Sequence, residues 1–192
     1  MYGYYILIKG ITKLNPFEKE TLIELLNDLM VQPDVSIHND ILLAIDVVRS
    51  DNDWNVIINN TNSDFYSDLR LYESNQFNTK NQLLTHLQET IDKPIFTKTY
   101  INDKTIFYDE VNKHVTEDMK KELFKSLYND KEFLQSIKLY LTYNQNKSKA
   151  AKEANLHRNT LENRLDKFYK ITGFDVRKFE DAAFIYVFLR NL

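Results

Sequence analysis

Four side chains that can all hydrogen-bond stand in a row at His157-Arg158-Asn159-Thr160, and each offers a different set of donors and acceptors. Asn163, Arg164 and Lys167 follow, and Lys147-Ser148-Lys149 stands shortly upstream. The chemistry open to such a set is recognition, not bond-making. Arginine or lysine can pair with guanine O6 and N7, and asparagine with adenine N6 and N7. Lysine and serine near a helix start can hold a phosphate, where free amides and the helix dipole favour an anion. Lys147, Ser148, Lys149, His157, Arg158, Asn159, Thr160, Asn163, Arg164 and Lys167 are therefore the candidate contacts to double-stranded DNA. Arg164 lies on the shoulder of an apolar stripe, where a structural ion pair competes with a DNA contact.

The elements that must position these residues can be read from the spacing. Lys147–Ala154 predicts a short helix with Ala150, Ala151 and Ala154 placed for close packing. Asn155-Leu156 breaks the pattern, and a longer helix follows from about His157 to Thr172, stopped by Gly173. Leu161, Leu165 and Phe168 fall at i, i+4 and i+7 and belong to a core. Asn159, Asn163, Asp166 and Lys170 lie opposite, with Lys167 beside them. Two helices and a tight turn over 147–172 read as helix-turn-helix. In that motif the second helix enters the major groove, and its N-terminal residues meet base edges.

The run LHRNTLENRL, preceded by NKSKAAKEA, resembles the C-terminal DNA-binding domain of PucR/CdaR-type transcriptional regulators. More remotely it resembles the helix-turn-helix of the Fis protein. The resemblance covers roughly Asn129 to Leu192, and its specific part is HRNTL followed by Arg164-Leu165. It implies a sequence-specific DNA-binding regulator of transcription. The family usually has a basic or neutral residue where this chain has Glu162, and an arginine where it has Ala182. A carboxylate at that place repels phosphate or accepts from a cytosine amino group. In such regulators a degenerate nucleotide-cyclase-like α+β domain precedes the helical end. The first half of this chain matches that only in element order, without the paired acids of a cyclase.

Charge is uneven along the chain. Residues 130–192 carry twelve Lys and Arg against eight Asp and Glu, while residues 1–129 carry thirteen against twenty. Within 147–170 the count is seven against three. A basic patch on an acidic body suits a DNA-reading module joined to a sensing or dimerising part. The 192 residues are 43% hydrophobic, enough for a real core. With no cysteine there are no disulfides or thiolate metal sites. No signal peptide and no 18-residue apolar run occur, so the expected place is the cytoplasm and not a membrane.

The predicted fold class is α+β: an N-terminal antiparallel sheet with helices over 1–108, then an all-α helix-turn-helix domain over 109–192. Tyr2–Ile11 is β-branched and aromatic and predicts a buried strand. Asn15-Pro16-Phe17-Glu18 starts a helix with Leu22, Leu25, Leu26, Leu29 and Met30 as its buried stripe, ended by Pro33. Val35–His38 and Ile41–Val48 make a hairpin around Asn39-Asp40. Trp54, Val56, Ile57 and Ile58 form an apolar island of open type, and Phe65–Tyr72 reads as a strand. Thr79 and Gln82 frame a helix carrying Leu83, Leu84, Leu87 and Ile91. Ile95–Tyr100 and Thr105–Tyr108 read as extended. Beyond Asp109 come helices starting at Thr116, at Asn129 with Glu132, at Lys147, at His157 and at Lys178. The last would pack through Phe179, Ala182, Ala183 and Tyr186.

A search for catalytic constellations comes up nearly empty. His38, His86, His114 and His157 are far apart, and no two share a metal-ligand spacing. Asp51-Asn52-Asp53 resembles the opening of a calcium loop but lacks the glycine and the closing glutamate, so a solvated loop is the better reading. The glycines at 3, 10 and 173 form no phosphate loop, and no serine has a nucleophile's context. No enzyme activity, metal or cofactor is expected. The many aromatics could line a ligand pocket, although a core is their default role. Two functional classes remain: a DNA-binding regulator, and a protein-interaction scaffold that keeps the helix-turn-helix fold without DNA affinity. A homodimer is expected, since one such motif reads few base pairs. A small-molecule effector, if there is one, is unnamed by the sequence.

Overall fold

The first strand, β1 (Tyr4–Lys9), is buried on both faces from Tyr4 to Ile8, in keeping with its unbroken aromatic and β-branched run. This computed structural model describes residues 2–91 and 93–190; the expected domain limits at 1 and 192 lie outside them. The chain divides into two compact units, Met1–Phe107 and Tyr108–Leu192. Within the first, β1 sits at the centre of a five-stranded sheet of order β2-β3-β1-β4-β5, completed by β2 (Asp34–His38), β3 (Ile41–Asp46), β4 (Arg70–Glu73) and β5 (Tyr100–Asn102). β1 runs antiparallel to β3 from Tyr4↔Asp46 to Lys9↔Ile41, and antiparallel to β4 from Ile6↔Glu73 to Lys9↔Arg70. Only β4 and β5 are parallel among the paired strands.

Helix α1 (Pro16–Leu29) begins on a reciprocal cap. Asn15 Oδ1 accepts from the Glu18 amide at 2.9 Å, and Glu18 Oε2 accepts from the Asn15 amide at 2.8 Å. Leu22, Leu26 and Met30 bury against Tyr4, Ile6 and Ile8, while Leu25 and Leu29 are half-buried. The hairpin turns at Asn39, whose φ of 54° is the left-handed conformation asparagine tolerates. Helix α2 (Trp54–Phe65) packs on the same face of the sheet through Trp54 and Ile58. With β1-α1-β2-β3-α2-β4 in this order, the unit is a split βαβ, ferredoxin-like arrangement. Helix α3 (Lys80–Ile91) covers the other face, where Leu83 and Leu87 meet Tyr5, Leu7 and Tyr72. The aromatics of β1 and β4 are thus core, and the polar tips of Tyr5 and Tyr72 are satisfied inside. Tyr5 Oη pairs with His86 Nδ1 at 2.8 Å, and Tyr72 Oη donates to Asp103. Burial pushes the Tyr5 hydroxyl up to about 12 and raises Tyr72 as well.

Several elements differ from the sequence expectation, each for a local reason. The island around Trp54 is helical because Asp53 caps it, accepting from Asn55 and Val56 amides, and Trp54, Ile58 and Thr61 supply a buried stripe. Phe65 ends that helix instead of opening a strand. Asn62 then clamps the turn, donating to Leu69 O at 2.9 Å and accepting from its amide at 2.7 Å, so β4 starts only at Arg70. Thr105–Tyr108 lies in helix α4 (Asp103–Lys113) and is not extended, because Asn102 Oδ1 accepts from the Thr105 amide at 2.8 Å and acts as a helix cap. Of Ile95–Tyr100, only Tyr100 is in a strand.

The second unit continues with α5 (Glu117–Phe124), capped by Thr116, and α6 (Lys131–Thr142). The cap of α6 is Asp130, not Asn129 with Glu132: Asp130 Oδ1 accepts from the Phe133 amide at 3.0 Å. Then come α7 (Lys147–Glu153), α8 (Arg158–Thr172) and α9 (Phe179–Leu189). α9 buries Ala182, Ile185, Phe188 and Leu189, leaving Phe179, Ala183 and Tyr186 exposed. That helix is apolar nearly all round, so spacing could not select its inner face. Among the described residues no helix is long and apolar enough to cross a membrane.

Asp46, 1% exposed, gives the first unit a point of vulnerability. Its carboxylate accepts from the Val31 and Val47 amides at 2.6 Å each and from Gln32 at 3.3 Å, tying the end of β3 to the exit of α1. Asp46→Ala orphans those donors and leaves a hole at a buried position, and should destabilise the protein by about 2–3 kcal/mol. Urea unfolding followed through the single tryptophan, Trp54, measures it. A change below about 0.5 kcal/mol would contradict this role.

Candidate nucleic-acid interface

The N-terminal end of α8 is placed by two similar turns. α6 ends with Asn144 at φ 52°; the Gln145 amide reaches Tyr140 O at 2.9 Å and the Asn144 amide reaches Leu141 O at 3.0 Å. α7 ends with Asn155 at φ 52°; the Leu156 amide reaches Ala151 O at 2.8 Å and the Asn155 amide reaches Lys152 O at 3.1 Å. Both are Schellman closures with asparagine in the left-handed position. Between them Asn146 caps α7, and His157 caps α8 by accepting the Asn159 amide on Nδ1 at 3.2 Å. Ala150 and Ala151 are buried, and small side chains there let α7 approach its neighbours closely. Leu161, Leu165 and Phe168 are 0–1% exposed and lock α8 into the helical core with Phe124, Ile137, Tyr140 and Ile185. α8 stops at Gly173, φ 84°.

With one side fixed, the other side stays in water. Ser148, Lys149, His157, Arg158, Asn159, Thr160, Asn163 and Lys167 are all exposed. Asn159, Asn163, Lys167 and Lys170 succeed one another at spacings that keep them on one helix face. His157 spends Nδ1 on the cap, which leaves Nε2 as its outward donor. Lys167 and Arg164 both lie over the Phe133 ring, at 5.3 and 5.7 Å.

Two candidates are held inside the molecule. Arg164 pairs with Glu132 Oε1 at 2.7 Å, so its shoulder position is used for an ion pair to α6. Lys147 is half-buried and paired with Glu162. Glu162 is met on its other side by Arg177 at 3.3 Å. The carboxylate that departs from the family pattern is therefore bracketed by two cations, and its bare charge does not face outward. Arg177 also pairs with Asp166 at 2.8 Å and Asp175 at 2.7 Å. Spacing alone did not single out Arg177; its only signal is the i, i+4 pair of acids Glu162 and Asp166 waiting for a cation.

The arrangement defines a helix-turn-helix module whose second helix carries an exposed polar N-terminal end. Residues 133–190 match the PucR C-terminal helix-turn-helix domain, and the helical unit carries that domain. Over 134 residues the chain is 25% identical to the uncharacterized protein YxkF of Bacillus subtilis (strain 168), covering 65% of this chain and 45% of that protein. The chain thus spans less than half the length of that relative. A crystal structure of a regulator of polyketide synthase expression from Bifidobacterium adolescentis aligns over 99% of this chain and 79% of its own, at 17% identity and a TM-score of 0.34. Among the described residues no group of His, Asp or Glu is placed to hold a metal ion.

The Arg177 hub makes a pH prediction. Its hydrogen bond to Arg177 holds the Asp175 carboxyl below the usual range, and Asp175 and Asp166 in turn raise the guanidinium. Folded Asp175 binds its proton less readily than the unfolded residue. Its stabilising effect is therefore fully present above the ordinary aspartate value, about 3.9, and is lost as pH falls through the folded value. Asp175→Asn should lower Tm at neutral pH, and the gap to the parent should close below about pH 4. Thermal unfolding by circular dichroism across pH 3–7 checks this; a gap independent of pH would remove Asp175 from the hub.

Proposed function

We propose that this protein is a sequence-specific transcriptional regulator that reads double-stranded DNA with α8. The observation that carries the reading is the exposed His157-Arg158-Asn159-Thr160 end of a core-anchored helix within a matched helix-turn-helix domain. Arg158 and Asn159 have the bidentate chemistry for guanine and adenine, His157 and Thr160 add single hydrogen bonds, and Asn163 extends the reading face. Lys149, Ser148 and Lys167 meet phosphates. Lys147 and Arg164 hold α8 at its angle through Glu162 and Glu132. The protein acts without catalysis and as a homodimer, placing two reading helices about one helical turn of DNA, roughly 34 Å, apart.

The second reading is a scaffold that keeps the fold without DNA affinity, favoured by the net charge of −3. Selection from random duplexes followed by fluorescence anisotropy separates the two. Arg158→Ala should leave the fold intact, since the side chain is exposed. It should cost about 1–3 kcal/mol on the selected duplex. Lys149→Ala should weaken all duplexes alike and lower the salt slope by about one unit. If no duplex is selected, or Arg158→Ala binds like the parent, α8 is not the reader and the scaffold reading takes its place.

A further inference from the structure

The longer free edge of the sheet in the first unit is β2, with β3 on one side and, among the described residues, no strand on the other. Its outward-facing groups follow from the ladder. The Ser74 amide donates to Tyr5 O at 3.0 Å, so Tyr5 turns its backbone groups toward β4. By alternation Ile6 and Ile8 face β3, and their partners Ala44 and Leu42 face back. Leu43 and Ile45 therefore face β2, where Ser36 and Asp34 answer them. Val35 and Ile37 are left with N–H and C=O directed outward, and among the described residues nothing bonds to them on that side.

A free edge is commonly blunted by lysine, by proline within the strand or by a bulge. β2 uses none of these: Asp34–His38 pairs with β3 residue for residue, and Ile37 is 42% exposed. Its five residues are also self-complementary. Beside a reversed copy centred on Ser36, Asp34 stands opposite His38 and Val35 opposite Ile37. That register matches the outward-facing residues with each other, so two pairs exchange two backbone hydrogen bonds each. Asp34 and His38 then fall at the closer, non-hydrogen-bonded positions, an acceptor opposite a donor. A parallel arrangement would set Asp34 against Asp34, like charge on like charge.

We propose that β2 pairs antiparallel with β2 of a second copy of this chain, across a two-fold axis through Ser36. Ile37 of each copy lies beside Val35 of the other, and the contact closes at two copies because both use the same patch. The edge is short, so the association is of the weak, exchanging kind. This surface rests on the proposed homodimer and gives it a location; it does not rest on the reading of DNA.

Ser36→Cys in the full chain is the direct test, because the 192 residues contain no cysteine. Non-hydrogen-bonded antiparallel partners lie about 4.5 Å apart at Cα, within disulfide reach. Mild oxidation should give a covalent dimer, whereas His38→Cys, off the axis, should give little. Sedimentation from micromolar to hundreds of micromolar supplies the non-covalent readout. Ile37→Pro removes only an outward N–H and should weaken self-association about tenfold or more. His38→Asp sets acid opposite acid and should weaken it several-fold, and adding Asp34→Lys should restore it. Should Ile37→Pro fail to fold, the charge exchange at exposed positions still decides. A dimer that His38→Asp leaves unchanged, a charge exchange that restores nothing, no cross-linking at 36, or equal cross-linking at 38 overturns this surface and leaves the homodimer standing. A monomer at every concentration overturns both. A dimer that behaves as expected but selects no duplex overturns the DNA reading alone.

Discussion

A helix that leaves its N-terminal end in water must be held entirely from its other side, and the helical unit is organised around that constraint. Leu161, Leu165, Phe168 and Thr172 give α8 a buried stripe along its whole length. Each large apolar side chain buried this way contributes about 1.5–3 kcal/mol relative to exposure. The alanines of α7 serve the same end by a different route, since Ala150 and Ala151 bring a backbone close where larger residues would hold it off. The two asparagine turns close each helix within a few residues and leave no slack chain to blur the angle between α7 and α8. What remains wet is mostly what no core position could use, Arg158, Asn159, Thr160, Asn163, Lys167 and Lys170, with Tyr169 beside them.

Electrostatics sorts the same residues again. An acidic protein can present a basic face if its acids near that face are consumed internally. Glu162, Asp166 and Asp175 converge on Arg177, with Lys147 closing on Glu162. Single exposed pairs are each worth little, about 0–1 kcal/mol. Their larger effect here is to decide which charges are left over. Lys149, Lys152, Arg158, Lys167 and Lys170 stay exposed, while most of the nearby carboxylates do not. Glu162 read alone looks like a liability for meeting phosphate; read with Lys147 and Arg177 it fastens α7 and the stretch after Gly173 to α8.

Legibility in the sequence followed the range of the interactions involved. The cap of α1, the Asn39-Asp40 hairpin, the break at Asn155-Leu156 and the stripe of α8 are fixed by residues a few positions apart, and all were legible. The same short-range logic failed where one residue type serves two purposes. Thr105–Tyr108 reads as extended, but Asn102 caps a helix there; Asn129 reads as a cap, but Asp130 takes the place. It failed again where no polar residue marks the outside, as along α9. The parallel pairing of β5 with β4 and the convergence of three acids on Arg177 are long-range facts that spacing does not encode. For the candidate site, the exposed polar side of α8 was legible and the ion pair of Arg164 was one of its two readings, but the engagement of Lys147 with Glu162 was not.

The tyrosines of the first unit show how burial and hydrogen bonding together decide between core and pocket. An aromatic lining a ligand site would leave its polar tip for the ligand. Tyr5 and Tyr72 instead spend theirs on His86 and Asp103, and Asp103 also accepts the Asn75 amide at 2.8 Å. Tyr100 likewise donates to Glu73, itself 3% exposed and paired with Arg49 at 2.7 Å. The raised hydroxyl of Tyr100, pushed up to about 12 by burial and by that carboxylate, keeps the proton on the donor side of the bond at any neutral pH. These contacts join β1, β4, α3 and the start of α4, elements far apart in sequence, and they do so with groups that would be costly to bury unpaired. The aromatic richness of the first half is therefore spent on specifying one sheet and its packing, while the helical unit keeps its hydrogen-bonding side chains facing outward.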